Sequence, residues 1–183
     1  MAALDAGLLT PRFRAALAGL ARRLDRHGVP FVVGGSAMLA CRGLKVSVAD
    51  LDICTADDQL DGVLAALESF NPVVLEGAPP PWRSTWLVRT ELPDRGGDVA
   101  SGGHHIGVDI IGDLAIEVDG VVATFPLDTH LAEAVEVDGM SVPFDSMWRW
   151  YHLYRVHDPA KAAQIAAVAG PEVLETAAVE LGL

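Results

Sequence analysis

Residues 31–55 read FVVGGSAMLACRGLKVSVADLDICT. The apolar triplet Phe31-Val32-Val33 predicts a short buried strand, and Gly34-Gly35-Ser36 turns the chain into a helix running to about Arg42. The following KVSVADLDICT alternates as a strand, and its period of two sets Val46, Val48, Asp50 and Asp52 on one face. Two carboxylates on such a face are costly, because burial penalises each charge and the charges repel one another. A divalent cation relieves both penalties: hard cations take oxygen ligands and commonly combine one or two carboxylates with substrate phosphates. Gly-Gly-Ser supplies a complementary half, since glycines let backbone N–H groups approach a phosphate, a helix start offers unpaired donors, and Ser36 adds a hydroxyl. Gly-Gly-Ser alone is an ordinary turn, and its meaning comes from the spacing to Asp-x-Asp.

Outward from this stretch, Thr10 and Pro11 open a predicted helix on which Phe13, Leu17, Leu20 and Leu24 recur at helical spacing, until Gly28 and Pro30 stop it. Thr55 is placed to cap the next helix, ADDQLDGVLAALESF, with Asp57 and Asp58 in the first turn, where the helix dipole favours negative charge. Strands are predicted at PVVLEG, STWLVRTEL and IGVDIIG, separated by the rigid loop APPPWR and the glycine-rich PDRGGDVASGGHH. IGVDIIG carries Asp109 at its centre, and that placement within an apolar strand favours it over Asp98, Asp113 and Glu117 as a third acid. Glu-Val-Asp-Gly occurs in both AIEVDGVVATF and EVDGMSVPF and predicts two similar turns. From Asp145 onward the chain reads as helical: DSMWRWYHLYRVH, PAKAAQIAAVAG and PEVLETAAVEL, with starts at Asp145, Pro159 and Pro171.

Composition narrows the function classes. With 183 residues, 51% of them hydrophobic, the chain is long enough for one domain with a real core and a small appended region. No apolar run approaches the ~20 residues of a membrane span. MAALDAGLLTPRFR lacks a basic start before an apolar core, so a cytoplasmic location without membrane association is expected. Cys41 and Cys54 have no metal-ligand spacing and read as free thiols packed as small hydrophobes. The net charge of −12 disfavours extended nucleic-acid binding. Arg42, Lys45, Arg83, Arg89 and Arg95 are together enough to hold a triphosphate or an RNA end, although taken singly such residues are more often solvated surface charges. His104 and His105 read as loop histidines. Core packing is the expected role for at least two of Trp148, Trp150, Tyr151 and Tyr154, and Trp82 and Trp86 flank the proline-rich loop as a candidate lid.

Val33-Gly34-Gly35-Ser36, Asp50-Leu51-Asp52 and Asp109 within GVDII together resemble the DNA polymerase β-like nucleotidyltransferase superfamily. Its pattern is an apolar residue, Gly-Gly or Gly-Ser, a short helix, Asp-x-Asp on the next strand and a third acid on a later one. The layout is most similar to the small prokaryotic branch of minimal and abortive-infection toxin-type nucleotidyltransferases. The resemblance implies an α/β (α+β) mixed-sheet fold over residues 1–144 and a C-terminal helical region, 145–183, packed on it. It implies that Asp50, Asp52 and Asp109 hold Mg²⁺, with Mn²⁺ as the alternative, and that Asp109 takes the proton of the attacking hydroxyl. Gly34, Gly35 and Ser36 then touch the triphosphate, and Arg42 and Lys45 join them in binding the nucleotide. The implied reaction moves a nucleoside monophosphate from an NTP, ATP among them, to a hydroxyl of a small molecule, a protein or an RNA end. A polycationic acceptor of the aminoglycoside type would suit the net charge. Members of the toxin-like branch often carry a nucleotide-holding lysine in the C-terminal helices; here Trp148, Trp150 and Tyr151 stand in that neighbourhood, with Arg149, Arg155 and Lys161 as substitutes. That departure motivates the alternative, a catalytically degenerate binding or toxin–antitoxin module with a protein partner.

Overall fold

The computed structural model describes residues 4–77, 80–93, 105–118 and 120–169. In chain order the helices are α1 (Pro11–Arg26), α2 (Gly35–Cys41), α3 (Leu60–Leu67), α4 (Met147–His157) and α5 (Pro159–Ala169). The strands are β1 (Val32–Val33), β2 (Asp50–Thr55), β3 (Val73–Glu76), β4 (Trp86–Pro93), β5 (His105–Gly112), β6 (Leu114–Val118), β7 (Val121–Phe125), β8 (Glu133–Val137) and β9 (Met140–Phe144). Seven strands form one mixed sheet in the order β3-β4-β5-β2-β1-β9-β8, and β6 pairs with β7 as a separate hairpin. The architecture is α/β, as the sequence predicts.

α1 forms where the pattern places it. Thr10 caps it by accepting a hydrogen bond from the Phe13 N–H, Pro11 occupies the first turn, and Leu17, Leu20 and Leu24 are buried. Burying each of these leucines stabilises the fold by about 1.5–3 kcal/mol. α1 packs with α3 and reaches β8 and β9, while α2 lies beside β2 and α4. The central strands are two-faced. On β4 and β5 the side chains of Trp86, Val88, Thr90, Leu92, Ile106, Val108 and Ile110 enter the core, and those of Arg89, Glu91 and Asp109 alternate onto the other face. β6–β7 and β8–β9 are antiparallel hairpins, and in the Glu-Val-Asp-Gly segment of the second the turn residues Asp138 and Gly139 adopt φ of +45° and +79°. Cys41 and Cys54 are buried free thiols. No helix among the described residues is long and apolar enough to cross a membrane.

The structure corrects several local expectations. β2 begins at Asp50 rather than Lys45. Thr55 does not cap a helix: its hydroxyl donates to the Pro30 carbonyl at 2.6 Å, tying β2 to the segment before β1. The helix expected after it is α-helical only over Leu60–Leu67, with single 3₁₀ turns at Asp57–Gln59 and Glu68–Phe70. Ser146, not Asp145, caps α4, because the Asp145 carboxylate is committed to Arg149, the Trp150 indole and the Ser146 N–H. The predicted third C-terminal helix, 171–181, lies outside the described residues, as do His104, Asp98 and Arg95.

Candidate active site

Strand register assembles the site. β2 and β5 run parallel with Asp52 opposite Asp109, and β5 and β4 run antiparallel with Asp109 opposite Arg89. Side chains of directly paired residues share a face, so Asp52, Asp109 and Arg89 form a row across three strands, with Asp50 one pleat away. Asp50, Asp52 and Asp109 each offer a carboxylate oxygen, all within 4.8 Å of one another, and all three side chains are half-buried. Such a set of oxygen donors fits a hard divalent cation.

The electrostatics show why the cluster calls for positive charge. Burial, then the neighbouring carboxylates of Asp50 and Asp109, push Asp52 up to about 7. Burial and Asp109 raise Asp50 as well, opposed by Lys161 and Arg89. Arg89 answers Asp109 directly: its Nε–H donates to Oδ1 at 2.8 Å and its Nη2–H to Oδ2 at 2.7 Å. The hydrogen bond and charge of Asp109 hold the Arg89 guanidinium more firmly protonated.

Both glycines are required by contacts. Gly35 has φ of +56°, and a Cβ there would stand 1.8 Å from Asp52 Oδ2, so only glycine lets the carboxylate lie against the start of α2. A Cβ on Gly34 would stand 2.0 Å from the Trp150 ring, whose indole N–H donates to the buried Asp145 carboxylate at 3.1 Å. The Gly34 N–H donates to the Asp52 carbonyl at 2.9 Å, which fixes the turn against β2.

The three acids sit in a cleft of about 270 Å³, bordered also by Ser36, Trp82, Arg89, Tyr154, His157 and Lys161. α5 delivers Lys161 to the mouth of α2: its Nζ donates to Ser36 Oγ at 3.1 Å, lies 3.6 Å from Asp158 and stands 4.9 Å above the Tyr154 ring. Burial raises the Tyr154 phenol, and the Ser36 hydroxyl opposes that rise. Trp82 meets the His157 ring edge-on at 4.6 Å, and burial lowers His157, which favours the neutral imidazole.

The structure brings Asp50, Asp52, Asp109 and Ser36 together with Gly34 and Gly35 at their edge, and it leaves two predicted residues out. Arg42 is buried and ion-pairs with Glu133 at 2.8 Å, because α2 turns its C-terminal end towards β8. Lys45 is exposed on the segment before β2, away from the cleft. Among the other sequence candidates, Arg83 pairs with Glu117, and His105 is exposed. Trp86 is buried over Gly112 with its indole bonded to the Asp57 carbonyl, so it is a core residue and not part of a lid. Arg149 is fully buried against Asp145 and the Phe125 and Pro126 carbonyls, and Arg155 lies over Tyr151. Of the three C-terminal cations weighed for the nucleotide, Lys161 reaches the cleft. Trp150 and Tyr154 pack in the core as expected, yet both also line the cleft. Leu87, Ile111 and His157 line it too and carry no sequence signal beyond the strand and helix periods that place them.

No family model and no curated protein matches the sequence. Solved structures do. A protein of Thermotoga maritima assigned as a nucleotidyltransferase superposes with a TM-score of 0.64 at 25% identity, over 85% of this chain and 91% of that one. ANT(2″)-Ia, solved in complex with adenylyl-2″-tobramycin, superposes with a TM-score of 0.56 at 14% identity, over 93% and 97%. An antigenic nucleotidyltransferase-like protein from Paracoccidioides brasiliensis gives 0.52 at 14%, over 94% and 88%.

Proposed function

Taking the nucleotidyltransferase fold of this chain as the premise, we propose that it transfers a nucleoside monophosphate from an NTP to a hydroxyl acceptor. The observation that carries the reading is the paired register Asp52–Asp109, which with Asp50 gathers three carboxylate oxygens beside Ser36 and Lys161 in one cleft. In this reading residues 1–144 form the catalytic unit, and the helical region 145–183 completes it with Lys161.

Asp50, Asp52 and Asp109 would hold Mg²⁺ or Mn²⁺. Bound there, the cation would neutralise phosphate oxygens and align the α-phosphate for in-line displacement. Gly34, Gly35 and Ser36 shape the floor on which the triphosphate rests, and the Lys161 ammonium, already bonded to Ser36, is placed to donate to its oxygens. Asp109 accepts the proton of the attacking hydroxyl as the new O–P bond forms and the bond to the β-phosphate oxygen breaks. Pyrophosphate then leaves. Lys161 in the cleft supports retained catalysis over a degenerate binding module, since it stands where the helical region was expected to supply a nucleotide-binding cation. ANT(2″)-Ia bears an adenylylated aminoglycoside, and the acidic cleft here is likewise suited to an acceptor that carries positive charge.

The test is an intact-mass and radiolabel screen with each of the four NTPs, Mg²⁺ or Mn²⁺, and acceptors drawn from aminoglycosides, proteins and RNA ends. Metal-dependent transfer is expected from the wild type and none from the D50N/D52N double variant. Unchanged turnover in that variant refutes the mechanism.

A further inference from the structure

Asp109 is the third acid of the cluster, yet both of its oxygens already accept charge-assisted hydrogen bonds from one guanidinium, at 2.8 and 2.7 Å. The two partners differ in their surroundings: the Arg89 side chain is 60% exposed, whereas that of Asp109 is 17% exposed. Arg89 therefore loses little when it leaves, because water can solvate it, while a half-buried Asp109 beside Asp50 and Asp52 needs another cation in its place. Arg89 also lines the cleft itself, and Lys161, the other nearby cation, is engaged by Ser36 and Asp158. The planar fork that fits a carboxylate fits a phosphate equally well.

We infer that Arg89 is an internal counter-ion that occupies Asp109 in the nucleotide-free protein and passes to the triphosphate on binding, so that nucleotide and metal load together. The inference rests on the reading of the three aspartates as the metal site. It makes Arg89 a positioning residue: it withholds the third carboxylate until there is a substrate for that carboxylate to serve. It also predicts that metal alone binds weakly and that nucleotide and metal each strengthen the other's binding by the same factor.

The discriminating experiment is Mn²⁺ binding by electron paramagnetic resonance, with and without a non-hydrolysable NTP analogue, on wild type, R89K, R89Q and D50N/D52N. R89K keeps the charge and loses the bidentate fork, which separates release of Asp109 from a general change in potential. Both Arg89 variants are expected to bind Mn²⁺ without nucleotide on the order of tenfold tighter than wild type, the low end for losing a competing charge-assisted hydrogen bond to Asp109. Their enhancement by the analogue should shrink correspondingly. R89K with wild-type affinity and wild-type enhancement overturns the inference alone, even if R89Q binds tighter. Mn²⁺ binding that survives in D50N/D52N overturns the metal site and the inference together.

Discussion

Replacing Asp52 by asparagine should stabilise the metal-free protein at mildly alkaline pH while abolishing its chemistry. The Asp52 carboxyl is pushed up to about 7 from an ordinary value of 3.8, chiefly by burial and then by Asp50 and Asp109. The folded value lies above the unfolded one, so between them the folded state binds more protons, and stability falls as pH rises until the folded group has ionised. From about pH 5 to about pH 7 that is two pH units at about 1.4 kcal/mol each, or about 3 kcal/mol as an upper figure, with little further change by about pH 8. Side-chain relaxation and solvent reduce it. For a domain of this size the change corresponds to ~6–12 °C in Tm. Thermal unfolding in a chelator, at about pH 5 and about pH 8, should therefore show D52N gaining on wild type as pH rises; taking the difference between variants cancels the titration of groups that do not interact with Asp52. Mg²⁺ or Mn²⁺ should then restore the wild type at the higher pH and leave D52N unmoved. A D52N advantage that is the same at both pH values, or that is larger in acid, refutes the account of this carboxylate.

G35A puts a Cβ against Asp52 Oδ2 at φ of +56°, and it should cost about 1–3 kcal/mol in urea unfolding and lower turnover on the order of 100-fold, because the displaced carboxylate no longer lies in the cluster. K161M removes a charged donor from beside Ser36, and steady-state kinetics should show the KM for NTP rising roughly 10- to 100-fold, with K161R recovering part of the loss. R149M strands the buried Asp145 carboxylate, so denaturant titration should show a loss of about 3–5 kcal/mol, and R149M/D145N should be more stable than R149M because the uncompensated charge has gone.

Local patterning carried much of the fold into the sequence. Helical spacing of Leu17, Leu20 and Leu24 behind Thr10-Pro11, the strand–turn–helix at Val32 to Cys41 and the Asp138-Gly139 hairpin each follow from contacts a few residues apart. Expectations slipped where the side chain found a different partner from the one its local sequence suggests. Thr55 faces Pro30 rather than the next helix, Asp145 answers Arg149 and Trp150 rather than a helix start, and Arg42 turns inward to Glu133. In each case the side chain has the right chemistry for the role the sequence suggests, and the fold brings a stronger partner within reach.

By itself the sequence determined that Asp50 and Asp52 share one face of a strand beside a Gly-Gly-Ser turn, because alternation is a property of consecutive residues. It also singled out Asp109 as a strand acid. Only the tertiary structure decided that Asp109 stands opposite Asp52, that Arg89 grips it from the next strand, and that Lys161 reaches Ser36 across 125 positions of chain. Periodicity says which way a side chain faces, whereas register and helix docking decide what it faces, and those are set by core packing over the whole sheet.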